Sequence, residues 1–210
     1  MKIGTRMPPF GNKVGFEQYA SWLSDNGFEA VDTPPLTADI ARICSANRLE
    51  IGSCDVRDLG SGVLSADGAV RRKALSQLKK EISSVKRFGG HTCFVLLMPD
   101  DRTQPRPKTF EIFRKVYPKV VEHAEKEGIR IAIEPWPGPA PHYPNLGCTP
   151  ESLRQIFQIL PSEALGICYD PSHFARIQID YLRLLHEFGD RVHHVHLKDT
   201  EIIAEKLYES

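Results

Sequence analysis

Three short apolar runs end on residues that can bind a cation or move a proton: "RIAIE" on Glu134, "GICYD" on Asp170, and "HHVHL", which delivers His196. If each run is a strand, its polar residue sits at the strand's C-terminal end. Neighbouring parallel strands lie about 4.8 Å apart, so side chains at three adjacent ends can converge on one point. Two carboxylates and one imidazole around a point describe a divalent-cation site. The charges neutralise the ion, and mixed oxygen and nitrogen donors suit Mn²⁺, Co²⁺, Mg²⁺ or Zn²⁺. Without a cation, the same buried acids would suffer repulsion and desolvation. Taken singly, each residue has a plainer use, since a strand-end acid commonly caps a loop or helix and a histidine is commonly just hydrogen-bonded. Their recurrence at corresponding positions of three successive units makes Glu134, Asp170 and His196 the candidate metal ligands.

The elements that must position them alternate along the chain. Apolar, β-branched runs recur at "KIGT", "EAVDT", "EIGSCD", "CFVLL", "RIAIE", "GICYD" and "HHVHL". Between them lie helical patterns, the clearest being Leu75, Leu78, Ile82 and Val85 at spacings of three and four. The opposite face of that helix carries Arg71, Arg72, Lys79, Lys80 and Lys86, which reads as a solvated outer face. Thr37, Thr149 and Asp180 stand where N-caps belong, Pro150 opens a helix, and Gly27, Gly128 and Gly189 close helices. Pro118 interrupts "FEIFRKVYPKVVEHAEKEG" and is expected to bend or divide it. Repeated strand–helix–strand units imply parallel strands joined by right-handed crossovers. A doubly wound nucleotide binder should show a glycine-rich phosphate loop, and neither GxGxxG nor GxxxxGK[ST] occurs. A (β/α)8 barrel instead assembles its site at the C-terminal ends of its strands, where these residues fall. The expected fold is α/β of the (β/α)8 TIM-barrel type, cut short after strand seven, as one domain over residues 1–210 without the strand-eight unit.

Composition narrows the function. With 41% hydrophobic and 26% charged residues the chain can bury a sizeable core. Lys plus Arg and Asp plus Glu both total 27, so no global field favours nucleic acid or an acidic membrane. Neither a signal-peptide pattern nor a run of roughly 18 apolar residues is present, so a cytoplasmic protein is expected. The five cysteines are odd in number and free of CxxC pairs, which fits reduced thiols.

"AIEPWPG", "CYDPSHF" and "HVHLKD" together resemble the xylose isomerase-like TIM barrels, the sugar phosphate isomerases and epimerases whose superfamily includes the endonuclease IV type of repair enzyme. The resemblance implies that Glu134, Asp170 and His196 bind the metal, that Glu134 is also a catalytic acid/base, and that His173 of the "DxxH" pair lies in the pocket near the substrate or, as in multi-metal members, binds a further ion. It implies no role for His193 or His194; because strand residues alternate, one of them should point at the barrel interior or the helix layer. The family's fourth ligand, a glutamate at the end of strand eight, has no counterpart in "LKDTEIIAEKLYES". Lys198 would meet substrate oxygens or pair with Asp199. Trp136, in the proline-rich "PWPGPAPHYPNLGC", would form a wall over a sugar ring, or the loop is plain surface. The function implied is a metal-dependent isomerase or epimerase working on a keto-sugar or sugar phosphate through a cis-enediolate. Two alternatives stand beside it: a non-catalytic remnant that binds sugar or a protein partner, and, less favoured because strands two and three end without histidine, an endonuclease-like phosphodiester hydrolase. The partner expected is a small sugar, with neither nucleic acid nor membrane, and a homo-oligomer remains open.

Overall fold

The structure, a computed structural model, describes residues 2–8, 13–139 and 142–209. Its sheet contains β1 (Gly4–Arg6), β2 (Ala30–Thr33), β3 (Glu50–Asp55), β4 (Thr92–Val95), β5 (Arg130–Ile133), β6 (Leu165–Tyr169) and β7 (Val192–Val195). The spatial order is the chain order, and every neighbouring pair is parallel. A doubly wound sheet would reverse direction at a switch point; a sheet that only adds strands in sequence curls as a barrel does. The helices are α1 (Phe16–Asp25), α2 (Ala38–Ala46), α3 (Gly68–Arg87), α4 (Arg106–Glu127), α5 (Pro150–Ile159), α6 (Pro171–Arg176) and α7 (Tyr181–Phe188). Among the described residues no eighth strand joins β7 to β1. The two edges border a cleft of about 340 Å³ whose lining includes Gly4, Thr5, Arg6, His194, Val195 and His196. No described helix is long and apolar enough to cross a membrane.

Local chemistry explains most boundaries. Thr37 accepts from Ile40 N at 3.3 Å, Thr149 from Ser152 N at 3.3 Å and Asp180 from Arg183 N at 2.9 Å, each satisfying a free donor of a first turn. Gly128 closes α4 with φ +67°, a conformation that favours glycine. Gly189 departs from that expectation: its φ is −54°, and the chain continues into a 3-10 turn, Gly189–Arg191, before β7. Pro118 does not divide α4, which runs unbroken through it. The bond a proline removes is that to the carbonyl four residues back, here Arg114, which lies on the exposed side of the helix.

The two-residue period of the strands sorts the core into layers. Cys93 and Val95 on β4, Ile131 and Ile133 on β5, and Ile167 and Tyr169 on β6 join the main cluster beneath α3, α4 and α5. The alternate residues Phe94, Ala132 and Cys168 form a small separate cluster on the inner face. Every second step along that inner face continues toward the strand ends, from Ala132 to Glu134, from Cys168 to Asp170 and from His194 to His196.

One buried side chain fixes the connection after β5. Asn145, fully buried, donates to Glu134 O at 2.8 Å and Trp136 O at 2.7 Å, and its Oδ1 accepts from Gly147 N at 2.9 Å. Ala140 and Pro141 of this proline-rich loop lie outside the described residues. Arg106 at the start of α4 donates to Tyr143 O at 2.7 Å and Ser152 Oγ at 2.9 Å, tying the loop to its neighbours. Asn145→Ala strands buried carbonyls and should destabilise the chain by about 2–4 kcal/mol. Asn145→Asp, which sets a carboxylate oxygen against two carbonyl oxygens, should destabilise it further. Urea unfolding monitored by circular dichroism checks both the sign and the order.

Candidate metal and catalytic site

The sheet ladder carries the candidate residues to its mouth. Glu134 N donates to Val95 O at 2.9 Å and His196 N to Tyr169 O at 3.0 Å, so both residues remain in register one step beyond their strands. Asp170 follows β6 directly and caps α6, Oδ1 accepting from Ser172 N at 3.0 Å. The plainer use of a strand-end acid is therefore real for one oxygen of Asp170, while Oδ2 faces Lys198 and His173. In β7 the register with β6 slips between Val192 and His194, leaving His193 as the extra residue of a bulge. His193 turns to the carbonyl of Ile131, 3.2 Å from its Nδ1. His194 and His196 turn to the interior, where their rings lie 5.1 Å apart.

Glu134, Asp170 and His173 offer ligand atoms that all lie within 4.8 Å of one another. His173 Nε2 is 2.8 Å from Glu134 Oε1 and 3.5 Å from Asp170 Oδ2. His196 belongs to two further groups of this kind, one with Glu134 and Cys168, the other with Asp32 and His194. Its Nδ1 is 3.6 Å from Glu134 Oε2 and its Nε2 is 3.0 Å from Asp32 Oδ2. Lys198 makes its ion pair with Asp170 Oδ2, at 2.5 Å, and lies 3.1 Å from His173 Nε2. Trp136 is half-buried on the loop after β5, its carbonyl held by Asn145.

Asp32 and Asp55, at the ends of β2 and β3, escaped the sequence reading, which examined those ends only for histidine. Asp32 is buried and receives His194, His196 and, at 2.6 Å, Ser53 N. Asp55 binds Arg6 at 2.6 Å, and the Arg6 guanidinium lies 4.6 Å over the Phe94 ring, which in turn packs against His196 at 5.4 Å. The rule that found Glu134 and Asp170, an acid closing an apolar run, applies equally to "EAVDT" and "EIGSCD".

Burial alone would raise the pKa of Glu134, but hydrogen bonds and charge from His173 and His196 outweigh it and bring the carboxyl down to about 2. Asp32 is likewise driven well below the usual carboxylate range, its burial outweighed by the histidine hydrogen bonds. Burial alone would lower His196, and Asp32 and Glu134 instead raise it to about 9. Burial pushes Cys168 well above an ordinary thiol, so it is a neutral packing residue rather than a nucleophile.

The donor set suits a divalent cation. Glu134 Oε2 and Asp170 Oδ2 are buried with no hydrogen bond of acceptable geometry, the close Lys198 contact of the latter being an ion pair. Glu134 Oε2 is the kind of atom a cation satisfies, whereas Asp170 Oδ2 would exchange Lys198 for the ion. In the ion-free chain these linked groups set a pH optimum of stability. Glu134 has a depressed folded pKa, so its contribution is present above about pH 4.5 and lost as pH falls toward 2. His196 has a raised one, so its contribution is complete below about pH 6.5 and lost as pH rises through 9. The thermal midpoint of chelator-treated protein should therefore be highest between about pH 4.5 and 6.5, and the alkaline decline should be absent from His196→Gln in a pH series of melting curves.

Residues 8–206 match the family described as xylose isomerase-like TIM barrel. The mannonate dehydratase of Chromohalobacter salexigens is 33% identical over 85 residues, which cover 39% of this chain and 22% of that protein. The two curated relatives that match are covered over only 28% and 22% of their own length. Among solved structures, a D-psicose 3-epimerase crystallised in the presence of D-fructose superposes with a TM-score of 0.79 at 15% identity, covering 99% of this chain and 79% of that one. An AP endonuclease of family 2 from Brucella melitensis gives 0.78 at 16% identity, covering 100% of this chain and 87% of that one. At such identities these likenesses speak for the fold. The family match, by contrast, runs through β2 to β7 and through all three strand-end motifs, and the chain belongs to the xylose isomerase-like TIM barrel family.

Proposed function

We propose that this chain carries the site of a metal-dependent isomerase or epimerase acting on a keto-sugar or sugar phosphate through a cis-enediolate. The observation that carries the reading is the buried, unpartnered Glu134 Oε2 beside Asp170 Oδ2, whose close cation is the half-exposed Lys198, at adjacent strand ends. The class of substrate comes from the relatives, an epimerase of keto-sugars by fold and a sugar-acid dehydratase by partial sequence. Glu134, Asp170 and His196 would hold the ion, with His173 beside them. When bound, the ion supplies polarisation of the sugar carbonyl and its neighbouring hydroxyl, which acidifies the C–H between them.

The chain's own groups do the rest. Glu134 accepts the proton from that carbon while the C–H electron pair passes into the enediolate, and it later gives the proton back. Return to the neighbouring carbon from the same side needs Glu134 alone and gives aldose–ketose isomerisation; return to the original carbon on its opposite face needs a second acid and gives epimerisation. His173, 2.8 Å from Glu134 Oε1, keeps that carboxylate ionised and ready to accept. Lys198, nearly half exposed at the rim, is placed to hydrogen-bond sugar oxygens. Trp136 gives the loop after β5 an apolar surface suited to the face of a sugar ring.

Incubation of the Mn²⁺-treated chain with keto-hexoses and keto-hexose phosphates in D₂O should place solvent deuterium on the carbon beside the carbonyl, read by proton NMR. Glu134→Gln should slow the exchange by about 100-fold or more. Calorimetric Mn²⁺ binding should be lost in Glu134→Ala and His196→Ala. A folded chain that binds sugar without exchanging any proton would instead favour the non-catalytic alternative.

A further inference from the structure

We propose that Asp32 is a positioning residue for His196: it holds the ring by Nε2 so that Nδ1 faces Glu134. The inference deepens the metal reading above and rests on it for its effect on affinity.

The contact joins residues 164 positions apart, and the fold is shaped to make it. Asp32 lies on the inner face of β2, 7% exposed. Its Oδ1 is anchored by Ser53 N at 2.6 Å, which fixes the carboxylate before any ring reaches it. His194 Nε2 lies 3.1 Å from each carboxylate oxygen, and His196 Nε2 lies 3.0 Å from Oδ2. Space is reserved as well: a Cβ on Gly52 would stand 2.5 Å from Asp32 Oδ1, so β3 carries no side chain where the carboxylate needs room. The opposite side of the His196 ring is bounded by Phe94, whose centroid is 5.4 Å away.

An imidazole has two nitrogens, and the one that donates decides what the other can do. With Nε2–H committed to Asp32, the lone pair of a neutral ring lies on Nδ1, and Nδ1 is the nitrogen 3.6 Å from Glu134 Oε2. A carboxylate behind a ligating histidine fixes the tautomer and orientation of the ring and raises its basicity as a ligand. Asp32, His194 and His196 also have the spacing of a cation site of their own. That use would take Nε2 of His196 for one ion while Nδ1 served the other, which requires a ring stripped of both protons. The hydrogen-bonded arrangement requires nothing beyond the protons a histidine ordinarily carries, and it decides the assignment.

The test uses the full chain with Mn²⁺ alone as probe, and Asp32→Asn, which preserves shape but offers one acceptor oxygen and no charge. Calorimetry should find one ion per wild-type chain and about 10- to 100-fold weaker binding in Asp32→Asn. Gly52→Ala, which keeps the carboxylate but crowds it, should weaken binding in the same direction and serves if the asparagine variant fails to fold. A second readout is independent of metal. Proton NMR of the metal-free chain should show a downfield Nε2–H signal, assigned by its absence in His196→Gln, that is lost or moved in Asp32→Asn. Unchanged affinity together with an unchanged signal would overturn the proposal, and so would two ions per wild-type chain falling to one in both Asp32→Asn and His194→Gln. A signal lost in Asp32→Asn in a chain that binds no Mn²⁺ would support the orienting role and count against the metal reading alone.

Discussion

The mouth of this barrel is governed by the need to neutralise carboxylates in a space with little water. Asp32, Asp55, Glu134 and Asp170 approach it from four strands, and an isolated buried carboxylate is costly enough that it must find a partner or a proton. The chain solves this by setting a histidine, lysine or arginine beside each carboxylate along one continuous path. His194 and His196 flank Asp32, His196 and His173 flank Glu134, His173 and Lys198 flank Asp170. Arg6 with Asp55 closes the far side across Phe94. The three segments that looked like separate motifs in the sequence are one chain of contacts in space.

Such a chain works only if its members cannot drift, which is the contribution of the scaffold. The parallel ladder sets the strand ends, and hydrogen bonds beyond β5 and β7 hold Glu134 and His196 in that register. The bulge at His193 lets one strand send a histidine outward to Ile131 and two inward. Asn145 locks the backbone of Glu134 from the loop side, Ser53 N locks Asp32 from the sheet side, and Ser172 takes the second oxygen of Asp170. Each ion-binding candidate thus has one part committed to the scaffold and one part facing the mouth.

The sequence made the frame legible because strands and helices leave local marks. β3 falls on "EIGSCD" without error, and Thr37, Thr149 and Asp180 cap the helices that follow them, since hydrophobic period and capping chemistry act within a few residues. What was not legible is set by contacts distant in the chain. Nothing near Asp32 signals a histidine 162 or 164 residues later, and nothing near Lys198 shows that it will meet Asp170 rather than its neighbour Asp199. Pro118 misled for a related reason: its local cost is certain, but whether it breaks a helix depends on packing, and Phe113, Tyr117, Val120 and Val121 are buried on both sides of it.

The pairing also bears on how a cation would enter. Asp170 Oδ2 and Glu134 Oε1 already have partners, so an ion that took them would displace one of those partners. Exposure decides which partner yields. Lys198 is 46% exposed, so its ammonium returns readily to water, while buried Asp170 would need the ion in its place. His173 is 14% exposed and touches two carboxylates at once, so losing it would leave buried charge on both. Lys198 would therefore be the group that gives way at Asp170 Oδ2 if an ion bound there, because, of the groups around that oxygen, it is the one whose charge water can accept.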